Sequence, residues 1–320
     1  MTSTTTLSPS EPQCHARHIH GLAWPAVPSR KTSKVPCPDG WTGKGGSWKC
    51  SEKGTFDGKP EIDCTLKWLG EVKDNIRKVE NITQLAKLSE NLSEKMNSSS
   101  KNEIKYPGDL SKTAELVQVI QHLTDHFVNS SEKNVEHSVK QITNSVVKTC
   151  SKMLAHETAW KSAKSTEAVN IAEGVLRYIQ YAGVTFGCAE ASTNTDMKIE
   201  TVGGEHTFEQ SNIFMSAFNM GHQQPISFNF NGQNFSLTNH IESKKEKSVS
   251  EFCNHKIGVG AVFDKLSKYL SFGMDQGDLR INSEIVAFNY NNMTKTFPLP
   301  NSTYARMKYV YYANDFDNTK

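Results

Sequence analysis

Four of the chain's seven cysteines, Cys14, Cys37, Cys50 and Cys64, fall in the first fifth of its 320 residues; Cys150, Cys188 and Cys253 are far apart. The four include no C-x-x-C pair, so a disulfide module fits them better than a zinc site. The surrounding segment is full of Gly, Pro, Lys and Ser and has few aliphatic residues. A stretch that cannot build a sufficient core needs covalent staples. Four cysteines leave more than one pairing open. Cys14, His15, His18 and His20 lie close together, but no second half-site of metal-ligand spacing follows, which makes Cys14 a half-cystine beside surface histidines. Residues 14–65 are therefore read as a disulfide module, preceded by a Ser/Thr/Pro-rich disordered tail over 1–13.

After Cys64 the texture changes. Leu66, Leu69, Val72, Ile76, Val79, Ile82, Leu85, Leu88, Leu92 and Met96 recur at steps of three or four, predicting one long amphipathic helix. Asn97–Ser100 and Pro107–Gly108 break it. Thr113–Val128, Val135–Leu154 and Thr166–Ala182 repeat the helical pattern, so 66–183 reads as a small bundle. Beyond Gly183 the period falls to two. Met197, Ile199 and Thr201 alternate with charged residues, as Ile226, Phe228 and Phe230 do with polar ones. Asn231-Gly232 before Asn234–Leu237 predicts a hairpin. Ile257–Phe263, Ile285–Tyr290 and Met307–Tyr312 are further strand candidates. The expected class is α+β multidomain: a small disulfide-stapled module, a helical bundle, then an antiparallel β-sandwich over 184–320. Cys188 and Cys253 are a candidate disulfide in the β-rich part. Cys150 sits on the apolar face of its helix as a buried small hydrophobe.

Lys and Arg exceed Asp and Glu by 36 − 34 = +2, and the arginines form no cluster, which argues against a strong grip on nucleic acid or acidic lipid. No apolar run of ~18 residues exists, and the N-terminus has no secretory h-region. No G-x-S-x-G, Walker loop, H-E-x-x-H or EF-hand loop occurs, so no enzyme activity, cofactor or metal is expected. Sequons at Asn81, Asn91, Asn97, Asn129, Asn234, Asn292 and Asn301 permit a glycosylated exterior. With the cysteines they favour the extracellular side. Trp24 and Trp48 are binding candidates, because aromatic residues anchor interfaces. The heavier reading is that they form the module's own core.

The order Cys14, Gly21-Leu22-Ala23-Trp24-Pro25, Cys37-Pro38-Asp39-Gly40, Thr42-Gly43, Trp48-Lys49-Cys50, Gly54-Thr55-Phe56, Asp63-Cys64 and Trp68 resembles a hormone-receptor domain. That resemblance implies the pairs Cys14–Cys50 and Cys37–Cys64. The remainder to about residue 290, helices first and strands after, resembles the GAIN domain of adhesion G-protein-coupled receptors. Ile142–Leu154 with Trp160, Thr166–Tyr181, and Ile257–Leu270 followed by Ile281–Ala287 carry the likeness. The resemblance implies an extracellular adhesion, ligand-binding and regulatory region at the cell surface. Its partners would be an extracellular protein or peptide ligand and a transmembrane part of the receptor. The alternative is a secreted or shed soluble binding protein of the same fold.

Such receptors continue into a proteolysis motif, with paired cysteines, tryptophans and a His-Leu-Ser/Thr tripeptide, and then into membrane helices. Neither occurs before Lys320, so the chain is expected to stop short of that motif and not to cleave itself. His122-Leu123-Thr124 spells the tripeptide, but inside a helical pattern with none of the flanking cysteines or tryptophans. Trp68, close behind Cys64, is expected to dock the module on the helices.

Overall fold

A computed structural model of the chain describes residues 12–96, 103–130, 135–193, 207–219, 226–230, 233–237, 257–270 and 285–290. The first of these begin as short antiparallel strands. β1 (Gln13–Cys14) pairs with β4 (Val27–Pro28), and β2 (Arg17–Ile19) with β3 (Leu22–Trp24). β5 (Thr32–Val35), β6 (Trp41–Lys49) and β7 (Glu61–Leu66) form a three-stranded sheet in the order β5-β6-β7. Disulfides Cys14–Cys50 and Cys37–Cys64 close this part of the chain. Its small core is aromatic: Trp24 meets Trp48 edge-on at 5.4 Å, and Trp48 stacks on Phe56 at 4.3 Å.

The expected single helix over Leu66–Met96 is two helices, α1 (Lys67–Ile76) and α2 (Ile82–Lys95). Asn81 is the reason. Its backbone is extended, and its side-chain oxygen accepts from the Gln84 amide at 3.0 Å, while Gln84 reaches back to the Glu80 amide. An amide side chain at that position starts a new helix, and apolar periodicity runs straight across the cap. α3 spans Pro107–Asn129, so Pro107 opens a helix where a break was expected. Proline at the first helical position lacks only an N–H that has no partner there anyway. α4 (Val135–Ala155) follows, then a short α5 (Glu157–Ser162) that the sequence pattern did not single out.

α6 runs from Ser165 to Thr193, past the Ala182 end expected for it and through Gly183 and Gly187. β8 (Thr207–Gln210), β9 (Ile213–Asn219), β12 (Ile257–Phe263) and β13 (Ile285–Tyr290) make a four-stranded antiparallel sheet ordered β13-β12-β9-β8. β10 (Ile226–Phe230) and β11 (Gln233–Leu237) pair as the expected hairpin, with Phe230 opposite Gln233. The short helix α7 (Leu266–Leu270) follows β12. The mixed α+β class holds. The strand candidates at 197–201 and Met307–Tyr312, with Cys253, Asn97, Asn292 and Asn301, lie outside the described residues.

α6 is the layer against which β9 and β12 pack. A Cβ on Gly183 would lie 2.6 Å from Val259 Cγ1, and one on Gly187 would lie 2.5 Å from Ile257 Cγ2, so the sheet approaches closer than any side chain would allow. Phe186 meets Phe208 edge-on at 5.0 Å. Asn212, between β8 and β9, donates through its side chain to Ser151 O of α4 at 3.0 Å, and its backbone N–H donates to Ser151 Oγ at 3.1 Å. At the other end Tyr269 of α7 stacks on Trp160 of α5 at 4.2 Å and donates to Leu154 O at 2.8 Å. One continuous apolar core runs from Leu22 to Tyr269 through all these layers.

Candidate functional site at the seat of the disulfide module

The module meets the helices at the start of α3. Pro107 and Gly108 bring the helix N-terminus against β7; a Cβ on Gly108 would lie 2.6 Å from Cys64 O and 2.7 Å from Thr65 Oγ1. Asp109, third residue of the helix, is fully buried there. Its Oδ2 accepts from the Lys105 and Tyr106 amides at 3.0 and 3.1 Å, and from Trp41 Nε1 of β6 at 3.1 Å. Its Oδ1 accepts from the Leu66 amide, the end of β7, at 2.7 Å. An acid at a helix N-terminus is favourable, since it faces orphan amides and the positive end of the dipole. Burial still wins: it pushes the Asp109 carboxyl above the usual carboxylate range despite these donors. Trp41 also meets Tyr106 edge-on at 5.7 Å, with Lys105 Nζ 5.4 Å from its ring centroid.

A second attachment lies at the other end of β7. Lys59 Nζ donates to Lys161 O at 2.9 Å and to Ala163 O at 3.3 Å, where α5 passes into α6. Glu61 pairs with Lys164 at 2.6 Å, and this bond holds the Glu61 carboxyl below its ordinary value.

Trp24 and Trp48 are only 1% and 6% exposed, so neither lines an open groove; they are the module's core. Trp48 Nε1 donates to Asp57 O at 3.0 Å, and Trp24 Nε1 to Ile19 O at 3.4 Å. Trp68 is buried beneath Lys95 of α2, whose Nζ is 5.7 Å from its ring centroid. The polar contacts of the seat are made instead by Trp41 and Asp109, which sequence reasoning missed. Tyr106-Pro107-Gly108-Asp109 does carry a usable signal, proline at the first helical position with an acid two residues on. Nothing local could have paired that acid with a tryptophan far upstream.

Asn91 is exposed on α2, Asn129 is exposed at the end of α3, and Asn81 is half-buried at its cap. Asn234 lies in β11. Cys150 is a free, buried thiol, which burial holds well above its usual range. Cys188 is half of a disulfide, and Cys253, expected to pair with it, lies outside the described residues.

His122-Leu123-Thr124 lies within α3. Thr124 is buried, and its hydroxyl donates to Ile120 O at 2.8 Å. Asp125 beside it accepts from Thr185 of α6 at 3.4 Å, and burial pushes its pKa up to about 6. Among the described residues no cluster of acidic, His or Cys side chains could hold a metal, and no helix is long and apolar enough to cross a membrane.

Residues 69–185, from α1 into α6, match a protein-family model described as AGRL2-4 GAIN subdomain A. The helical part of the chain is thus similar to the GAIN domain that adhesion G-protein-coupled receptors carry outside the membrane. No curated protein matches the chain.

Proposed function

We propose that this chain is the extracellular adhesion and ligand-binding region of an adhesion G-protein-coupled receptor, regulating a membrane part of the same receptor. The supporting observation is the match of 69–185 to a GAIN subdomain A, directly preceded by a module with disulfides Cys14–Cys50 and Cys37–Cys64. The partner is a protein or peptide outside the cell. Glycans are carried at exposed sequon asparagines, with Asn91 and Asn129 the best placed of those described.

The region acts as a binding and regulatory element without catalysis of its own. Peptide-bond cleavage by a Thr hydroxyl needs the preceding carbonyl to become tetrahedral in a strained turn. A helical backbone with Thr124 bonded to Ile120 O is the opposite environment.

The test is to tag the full product of the gene at its N-terminus and stain unpermeabilised cells. Surface staining that resists a high-salt wash supports a receptor. Tag recovered only in the medium indicates the secreted binding protein, and tag found only inside cells overturns the proposal.

A further inference from the structure

We propose that Asp109 makes the disulfide module and the helical bundle one cooperative unit, so that binding or tension on the module reaches the first turn of α3 instead of being absorbed by a hinge. The strand that carries this coupling is β7. At its end the Leu66 amide donates to Asp109, and at its start Glu61 and the nearby Lys59 hold the α5–α6 connection. With ~3.4 Å per residue, the six residues of β7 separate these attachments by about 17 Å. Fastening at one point would allow the module to swivel; fastening at both ends of a strand does not. Cys64 lies within that strand and ties it through Cys37 to the rest of the module.

The two attachments differ in strength. Glu61 and Lys164 are mostly exposed, and exposed ion pairs contribute little. The Asp109 carboxylate is fully buried and takes donors from both bodies: Trp41 and Leu66 from the module, Lys105 and Tyr106 from the approach to α3. Pulling the module away would strip two donors from a buried charge, the expensive way to lose a hydrogen bond. Asp109 therefore acts as a positioning residue between bodies far apart in sequence.

The experiment is residue-resolved hydrogen exchange on the full oxidised chain, three single variants, and the double variant that combines Asp109→Asn with Trp41→Phe. Asp109→Asn turns one acceptor oxygen into an NH2 group facing N–H donors. Trp41→Phe removes the Nε1 donor and keeps a ring against Tyr106. Lys164→Ala removes the exposed pair. Asp109→Asn should speed exchange about tenfold or more both in the first turn of α3 and in strands β5 and β6, with both disulfides intact by mass. Trp41→Phe should give the same pattern at smaller size, and its effect should not add to that of Asp109→Asn. Lys164→Ala should change exchange less than about twofold. If Asp109→Asn speeds exchange only at residues 105–113 while β5 and β6 keep wild-type rates, the module is an independent body and the proposal fails. If that variant does not fold, Trp41→Phe decides between the same two patterns.

Discussion

The same substitution, glycine to alanine within a helix, should stabilise the chain at one place and fail to do so at another. Gly70 lies in α1 with no atom within 4 Å of where a Cβ would stand. Alanine there gains the usual helix preference, about 1 kcal/mol, with nothing to offset it. Gly183 lies in α6 beneath the sheet, where a Cβ would stand 2.6 and 2.9 Å from the two methyls of Val259 and 3.0 Å from Met215 Sδ. Methionine can give way, but Val259 is β-branched, buried and central in a paired strand, so its methyls cannot. Forcing a methyl into such a space costs about 1–3 kcal/mol, which equals or exceeds the helix gain. Gly183→Ala should therefore be neutral to destabilising by about 2 kcal/mol. Each kcal/mol moves the melting temperature by about 2–4 °C for a domain of this size. Thermal unfolding followed by circular dichroism should place Gly70→Ala a few degrees above wild type and Gly183→Ala level with it or below. Equal stabilisation by both would mean that α6 does not lie against β12 as described.

Three other outcomes are expected. Replacing Cys37 and Cys64 by serine should cost the module about 2–5 kcal/mol, since these cysteines close a loop of 27 residues around a very small core; denaturant titration would show it, and an unchanged midpoint would contradict it. Asp125 has a carboxyl raised by burial to about 6, so its charged form is disfavoured in the folded state, and stability should fall as pH rises from about 4 through 6. Asp125→Asn should accordingly melt above wild type at pH 8 and level with it below pH ~4; a gap that does not depend on pH would refute the assignment. Intact mass spectrometry should find no fragment beginning at Thr124, and one that disappears in Thr124→Ala would overturn the helical account of that tripeptide.

Much of this architecture could be read before any coordinates, for identifiable reasons. Helices α3, α4 and most of α6 announce themselves because an apolar face must repeat every three or four residues to stay buried. The pairing of β10 with β11 is foreshadowed by the Asn-Gly that separates them in sequence. The misplaced boundaries arise because residue type alone does not fix whether a helix starts, stops or continues at a given position. In the sequence, apolar residues on both sides hide Asn81, Pro107 reads as a breaker, and Gly183 reads as an end. Gly183 instead continues a helix because a neighbouring strand needs the space where its side chain would be. The seat of the module is legible only in part: Tyr106-Pro107-Gly108-Asp109 marks a helix start, but not what its acid meets. Trp41 and Asp109 are joined only by the folded chain, and an acid among lysines and glycines carries no mark of complete burial.

α6 has a consequence for the order in which the chain can assemble. It is built from local contacts, whereas β9 pairs with β12 in a register that sets Ile213 opposite Phe263, across a long intervening segment. Local structure forms quickly, and distant strand pairing waits on loop closure. On a ribosome, which delivers residues from the N-terminus, the whole of α6 emerges well before β12 exists. Until then Phe186, buried in the finished protein and set edge-on to Phe208 of β8, has no sheet to cover it. The stripe with the two glycine gaps is at that stage an open, apolar template. It is where a nascent chain of this kind is most exposed to wrong partners, and where a chaperone would have reason to bind.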